Sequence, residues 1–222
     1  MRTKLSAILI CALPTTAFAA PAPRPEISSV PLHSVSQLTD VRPSGSAQET
    51  TLYEALQSLI ERYGITGINY TDNSVRKDLT VTASEAKVVL ISAYEQLAML
   101  SNASVESDLA AASDDDAAKI IKRYKVATDR ALHPVGSCQL LVGSKFAAKP
   151  QKGKPKALAS GAEITWAEAM ACLPGASAMP LNPSAYNLKV ASPAASITRG
   201  EFLHKLNEAV DNSLAEISRA AS

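Results

Sequence analysis

The stretch TLYEALQSLIERYGITGINY, residues 51–70, carries the first long periodic signal in the chain. Thr51-Leu52-Tyr53-Glu54 fits a capping box, in which the threonine hydroxyl accepts from an orphan amide of the first turn while the glutamate reaches back. Leu52, Leu56, Leu59 and Tyr63 then recur at helical spacing, so a helix is predicted over 51–63. Gly64 stands just past the last apolar position, where a left-handed residue closes a helix. Ile65 to Tyr70 follows as a plausible strand. Thr71-Asp72-Asn73-Ser74 is turn chemistry. Asp78-Leu79-Thr80-Val81-Thr82 alternates and predicts a second short strand.

Ser84 is expected to cap a long helix to about Leu100, with Val88, Ile91, Leu97 and Leu100 as its apolar stripe. Together these elements predict a small βαββα-like unit near residues 45–102. Residues 51–100 resemble part of the small domain at the N-terminus of secretins and TonB-dependent receptors. The resemblance is carried by Leu52, Ala55 or Leu56, Leu59 and Gly64, by Ile68-Asn69-Tyr70 and Leu79-Thr80-Val81-Thr82, and by Ala93-Tyr94-Glu95-Gln96-Leu97. It implies an accessory envelope protein whose small domain docks partners, and it assigns no catalytic residues. The family's strand before the first helix would fall on the polar run Ser44–Glu49, and no barrel follows.

Upstream, Arg2 and Lys4 precede the apolar stretch Leu5–Leu13 and then Ala17-Phe18-Ala19. This is the layout of a secretory signal peptide over 1–19. Cys11 follows Ile10, where lipidation would want a small residue. Removing those 19 residues takes away two basic and no acidic side chains from a chain of 222 with 22 Lys+Arg and 21 Asp+Glu, so the precursor's +1 becomes −1. A charge this close to zero argues against a general nucleic-acid binder. No apolar run approaches the length of a bilayer span, so no transmembrane segment is expected in the mature chain. Cys138 and Cys172 remain as an even pair, and in an oxidising compartment such a pair predicts a disulfide. Residues 20–50 hold Pro21, Pro23, Pro25, Pro31 and Pro43 and are expected to form a Pro/Ser-rich arm. The alternation Val30, Leu32, Val35, Leu38, Val41 gives that arm one means of docking.

Downstream, a helix-rich α+β domain over 51–132 is expected to be followed by a disulfide-tied α+β region over 133–222. Asn102–Ser113 is a small-residue hinge or weak helix. Asp114-Asp115-Asp116 opens a further helix with its carboxylates at the favourable end of the dipole, and it should stop before Pro134. Val135–Phe146 is expected to be a strand. Residues 145–161, with Lys145, Lys149, Lys152, Lys154 and Lys156, form a Lys-rich loop. Thr165-Trp166-Ala167-Glu168 and Thr198-Arg199-Gly200-Glu201 are two more capping boxes, each opening a helix. A strand is expected at Tyr186–Val190. No internal repeat is expected.

The chemical motifs fail on context. Ser84 with Lys87, and Ser74 with Lys77, match S-x-x-K, but the K-T-G-like strand that this chemistry needs is missing. His33, His133 and His204 are scattered; a site joining His133, Cys138, Cys172 and His204 would require them to meet in space. Asp114–Asp116 lacks the alternating ligands of a calcium loop. The Lys145–Lys156 run has one aromatic, Phe146, and suits a solvated loop better than a nucleic-acid platform. Asn69-Tyr70-Thr71 and Asn102-Ala103-Ser104 are glycosylation sequons, with meaning only in a eukaryotic secretory pathway. No cofactor, metal or catalytic residue is assigned. The expected function is a periplasmic or secreted accessory protein working by protein–protein contact in secretion, pilus or conjugation machinery, through strand addition at 68–70 or 79–82. The alternatives are a secreted hydrolase drawing on Ser137, Cys138, His133 or His204, and an exported effector.

Overall fold

A computed structural model of the chain describes residues 24–43, 46–134, 136–147, 156–176 and 192–221. The expected leader at 1–19, the first residues of the arm, Lys149, Lys152, Lys154 and the expected strand at Tyr186–Val190 lie outside the described residues. Five α-helices follow in order: α1 (Ala47–Gln57), α2 (Ala83–Ala111), α3 (Asp114–Leu132), α4 (Trp166–Cys172) and α5 (Arg199–Ala221).

α1 begins four residues earlier than Thr51. Ser46, not Thr51, caps it: its hydroxyl accepts from the Glu49 amide at 3.3 Å while Glu49 accepts from the Ser46 amide at 3.1 Å. Thr51 lies inside the first turns and donates to the Ala47 carbonyl. The helix ends in one wide turn, Ser58–Arg62, and Gly64 follows at φ +66°. α2 starts at Ala83 with Thr82 as its cap and runs unbroken to Ala111, so of the two readings of Asn102–Ser113 the helix holds and the hinge does not. Alanine is the commonest residue of that stretch, and no glycine or proline interrupts it. α3 matches the expectation in its start at Asp114 and in its end before Pro134.

The expected βαββα unit is absent: no β-strand forms among the described residues. Four isolated bridges take its place, Ile27 with Tyr70, Thr80 with Thr198, Thr82 with Glu163, and Thr165 with Ser196. The reason is geometric. A strand needs consecutive pairings with one neighbour, whereas in the last three bridges each extended segment shares its two sides between two different neighbours and then enters a helix.

Three segments do this in the same way. The Val81 amide donates to the Ile197 carbonyl, the Ile197 amide to the Ile164 carbonyl, and the Ile164 amide to the Val81 carbonyl, at 3.0–3.1 Å. These three bonds close a ring. The residue after each capping threonine closes a second ring in the opposite sense: Ala83 donates to Ala162, Trp166 to Ala195 and Arg199 to Leu79. The next residue repeats it again, Ser84 to Ser160, Ala167 to Pro193 and Gly200 to Lys77. The chain therefore contains an internal repeat, Val/Ile-Thr-x-x-Glu at 81–85, 164–168 and 197–201, contrary to expectation. Each copy buries the positions four and eight residues after its threonine: Ala86 and Leu90, Ala169 and Leu173, Phe202 and Leu206.

The strand expected over Val135–Phe146 does not form among its described residues, 136–146. Residues 136–147 make successive turns, with the Ser144 amide and hydroxyl both donating to Leu141 O and with Gly143 at φ +82°. Leu140 and Leu141 still reach the core, because Cys138 is bonded to Cys172 at the end of α4, with the Cα atoms 5.0 Å apart.

The arm docks from Arg24 to Pro43. Val35, Leu38 and Val41 are buried, the Ser28 amide donates to Asn69 O, and Asp40 accepts from the Val75 and Arg76 amides. The main core runs from Val35 to Val210 and draws on residues from both sides of position 132. A second, small cluster (Ile120, Tyr124, Ala127, Ala131 and Ile217) holds α3 to the far end of α5. Among the described helices, α2 is long and apolar enough to cross a membrane by length and composition, and its Leu90, Ala93, Tyr94 and Leu97 are fully buried in the core.

Candidate functional site

The residues singled out by motif are dispersed, and most have structural partners. Ser84 Oγ lies 3.2 Å from Thr82 Oγ1, while Lys87 donates to Val142 O at 3.1 Å, so the two do not face each other as nucleophile and base. Ser74 donates to Asp72 and Lys77 pairs with Glu49. His133 Nδ1 sits 2.6 Å from Asp129 O at the end of α3. His204 pairs with Glu208 on α5 at 3.2 Å. Cys138 is spent in the disulfide and is no free nucleophile. No hydrogen bond or ion pair joins Ser137, His133 and His204 among the described residues, and no three His, Cys, Asp or Glu side chains gather there as metal ligands. Lys145 pairs with Glu95 at 3.0 Å and lies over the Phe146 ring, which stacks on Tyr94. Asp114–Asp116 form the first turn of α3, where Asp116 pairs with Lys119.

The most deeply buried charge cluster among the described residues belongs to none of the chemical motifs. Arg199, at the first position of α5, is almost fully enclosed. Its Nε donates to Val75 O at 2.8 Å and one terminal nitrogen donates to Ile68 O at 2.6 Å. The guanidinium lies 3.6 Å from Glu85 and 4.4 Å from the centroid of the Tyr70 ring. Tyr70 donates to Glu85 Oε1 at 2.8 Å. Arg24 of the arm reaches the same carboxylate at 3.3 Å and also donates to Thr80 O and Oγ1. Burial alone would raise the Glu85 carboxyl. The Thr82 amide, the Tyr70 hydroxyl and the two guanidiniums outweigh it and hold the group below the usual carboxylate range. Glu163, at the mouth of the ring, accepts from Thr80 and Ser196. Arg199, Tyr70 and Glu85 are buried and satisfy one another, so the cluster is a lock between the arm, the 68–75 loop and the starts of α2 and α5.

What faces outward is α3. Its Ile120, Tyr124, Ala127 and Ala131 form the buried stripe, with the Tyr124 hydroxyl donating to Asp108 at 2.7 Å. Ile121 and Val126 are about half exposed, at 51% and 47%. Between α3 and the end of α5 runs an open cleft of about 420 Å³, edged by Lys122, Arg123, Arg130 and Arg219 with Glu216. Glu216 pairs with Arg130 at 3.2 Å. The sequence signal for this surface is the cation run Lys119, Lys122, Arg123, Lys125 and Arg130; that Val126 stands out among those cations is not legible without the helix's packing.

No family model, curated protein or solved structure matches the chain.

Proposed function

We propose that this chain is a non-enzymatic, exported accessory protein that works by protein–protein contact in an envelope assembly such as secretion, pilus or conjugation machinery. The observation that carries this reading is α3: its buried stripe is anchored on α2 and α5, while Val126 stands half exposed beside Lys122, Arg123 and Arg130 at the cleft toward α5. Apolar side chains placed among charges on a rigid helix are a common form of contact surface. The Cys138–Cys172 bond supports an oxidising compartment. The contact is assigned to this helical surface and not to strand addition, since the segments 68–70 and 79–82 already use their backbone groups within the ring and against the arm.

The test is chemical cross-linking of intact envelopes followed by purification of the tagged chain. A small, reproducible set of envelope proteins is the expected result. Recovery of the chain alone would count against the reading.

A further inference from the structure

We propose that the cleft between α3 and α5 receives an acidic amphipathic helix from a partner protein. This rests on the reading of the chain as a contact protein and names the chemistry of what it contacts.

Three observations converge. The apolar part of the cleft lining is small, made by Val126, Ala127 and Ala220 on two packed helices. A groove of that kind accepts a third helix at ordinary helix-packing distances. Its rim is cationic: Lys122 and Arg123 on one wall and Arg219 on the other, with Arg130 and Glu216 paired across the junction. The mature chain as read from the sequence has a net charge of −1, so this cluster does not simply follow from composition. Finally, Val126 is outside the stripe that holds α3 to the core, yet it is apolar and half exposed. Lys122 and Val126 are one turn apart on α3, so a partner helix with apolar residues at i, i+3, i+4 and i+7 would set them over Val126. Its acidic flanks would meet Lys122, Arg123 and Arg219. The neighbouring cleft at the α2–α3 junction carries Asp108 and Asp116 beside Lys119 and Arg123 and lacks this one-sided charge.

The experiment uses the full mature chain and a fluorescent synthetic peptide of about 18 residues, with leucines at helical spacing and glutamates elsewhere. Two probes accompany it: a permuted peptide of identical composition, and phosphatidylglycerol vesicles. The expected result is saturable, salt-sensitive binding of the amphipathic peptide. Permutation should weaken it about tenfold or more, and so should Lys122→Glu with Arg123→Glu. Val126→Asp and, on the opposite wall, Arg219→Glu should do the same with an unchanged unfolding midpoint, so the result does not depend on one variant folding. The proposal is overturned if both peptides bind equally or if the folded variants bind like the parent. It is also overturned if only the vesicles bind, or if the chain self-associates through the same residues and excludes the peptide. Failure here together with a positive envelope cross-link would remove the cleft and leave the contact reading standing.

Discussion

The Arg199 guanidinium and the Glu85 carboxylate, 114 positions apart in the chain, lie 3.6 Å apart inside the protein, each at the N-terminal end of its own helix. Their partners use up most of what each can offer: two backbone carbonyls and an aromatic face for Arg199, a hydroxyl, an amide and Arg24 for Glu85. Removing one partner leaves a buried charge uncompensated, which costs about 3–5 kcal/mol. Arg199→Met is therefore expected to lower the urea midpoint sharply. The double variant Arg199→Met with Glu85→Gln should lose clearly less than the sum of the singles. Strict additivity in the double-mutant cycle would mean the two groups are not coupled.

The same carboxylate sets an acid response. Glu85 has a folded-state pKa below its unfolded value of about 4.3. Its contribution is therefore complete above that unfolded value and is lost as pH falls through the lower folded value. Glu208, hydrogen-bonded to His204 and Lys205, and Glu163, hydrogen-bonded to Thr80, shift in the same direction. Denaturation midpoints should hold steady from pH 7 to about 5 and then fall below about pH 4. Glu85→Gln should flatten part of that fall. A midpoint that rises on acidification would contradict the account.

Gly67 separates backbone strain from packing. Its φ is +77°, and an added Cβ would lie 2.6 Å from Val88 Cγ1. Gly67→Ala should destabilise by more than the ~1–2 kcal/mol that left-handed backbone alone costs an alanine. Adding Val88→Ala should recover the clash but not the backbone cost. Gly161→Ala is the control, because nothing lies within 4 Å of its Cβ position. Equal thermal midpoints for the two alanine variants would sink the prediction.

The Cys138–Cys172 bond holds Leu140 and Leu141 in the core and fixes the end of α4, where Cys172 O accepts from the Tyr94 hydroxyl at 3.1 Å. With a sequence separation of 34, chain-entropy reasoning puts its contribution at roughly 4 kcal/mol. Reduction, or Cys138→Ser with Cys172→Ser, should lower the midpoint by an amount of that order while leaving α1 to α3 helical. Mass spectrometry of the non-reduced protein should find neither thiol open to alkylation.

Much of the helical layout was legible. Asp114 and Pro134 bracket α3, and the boxes at Thr165 and Thr198 mark α4 and α5, because local capping chemistry carries that information. Ser46-Ala47-Gln48-Glu49 is an equally clear box inside a polar run, and the polarity of a first turn says little about whether it is helical. The repeat was also present in the sequence. Taking Ser84 in place of Thr82 as the cap of α2 hid the third copy, and with it the common Val/Ile-Thr-x-x-Glu pattern. What alternation could not reveal is that Val81, Ile164 and Ile197 pair around a ring instead of along a ladder. Period-two patterning reports an extended backbone with one buried side and is silent on how many neighbours share it. The Arg199–Glu85–Tyr70 lock was illegible for a related reason: its members come from three segments, and nothing local sets an arginine for burial apart from one bound for solvent.

The claim that this chain acts by contact through its α3 surface is tested most directly by a photo-cross-linking side chain at Val126 of the full chain, irradiated in intact cells that produce it. Discrete adducts to one or a few proteins should form at Val126, weaken with Lys122→Glu and Arg123→Glu, and be missing when the probe is at exposed Thr51. Only monomer from Val126, or the same adducts from both positions, would contradict it.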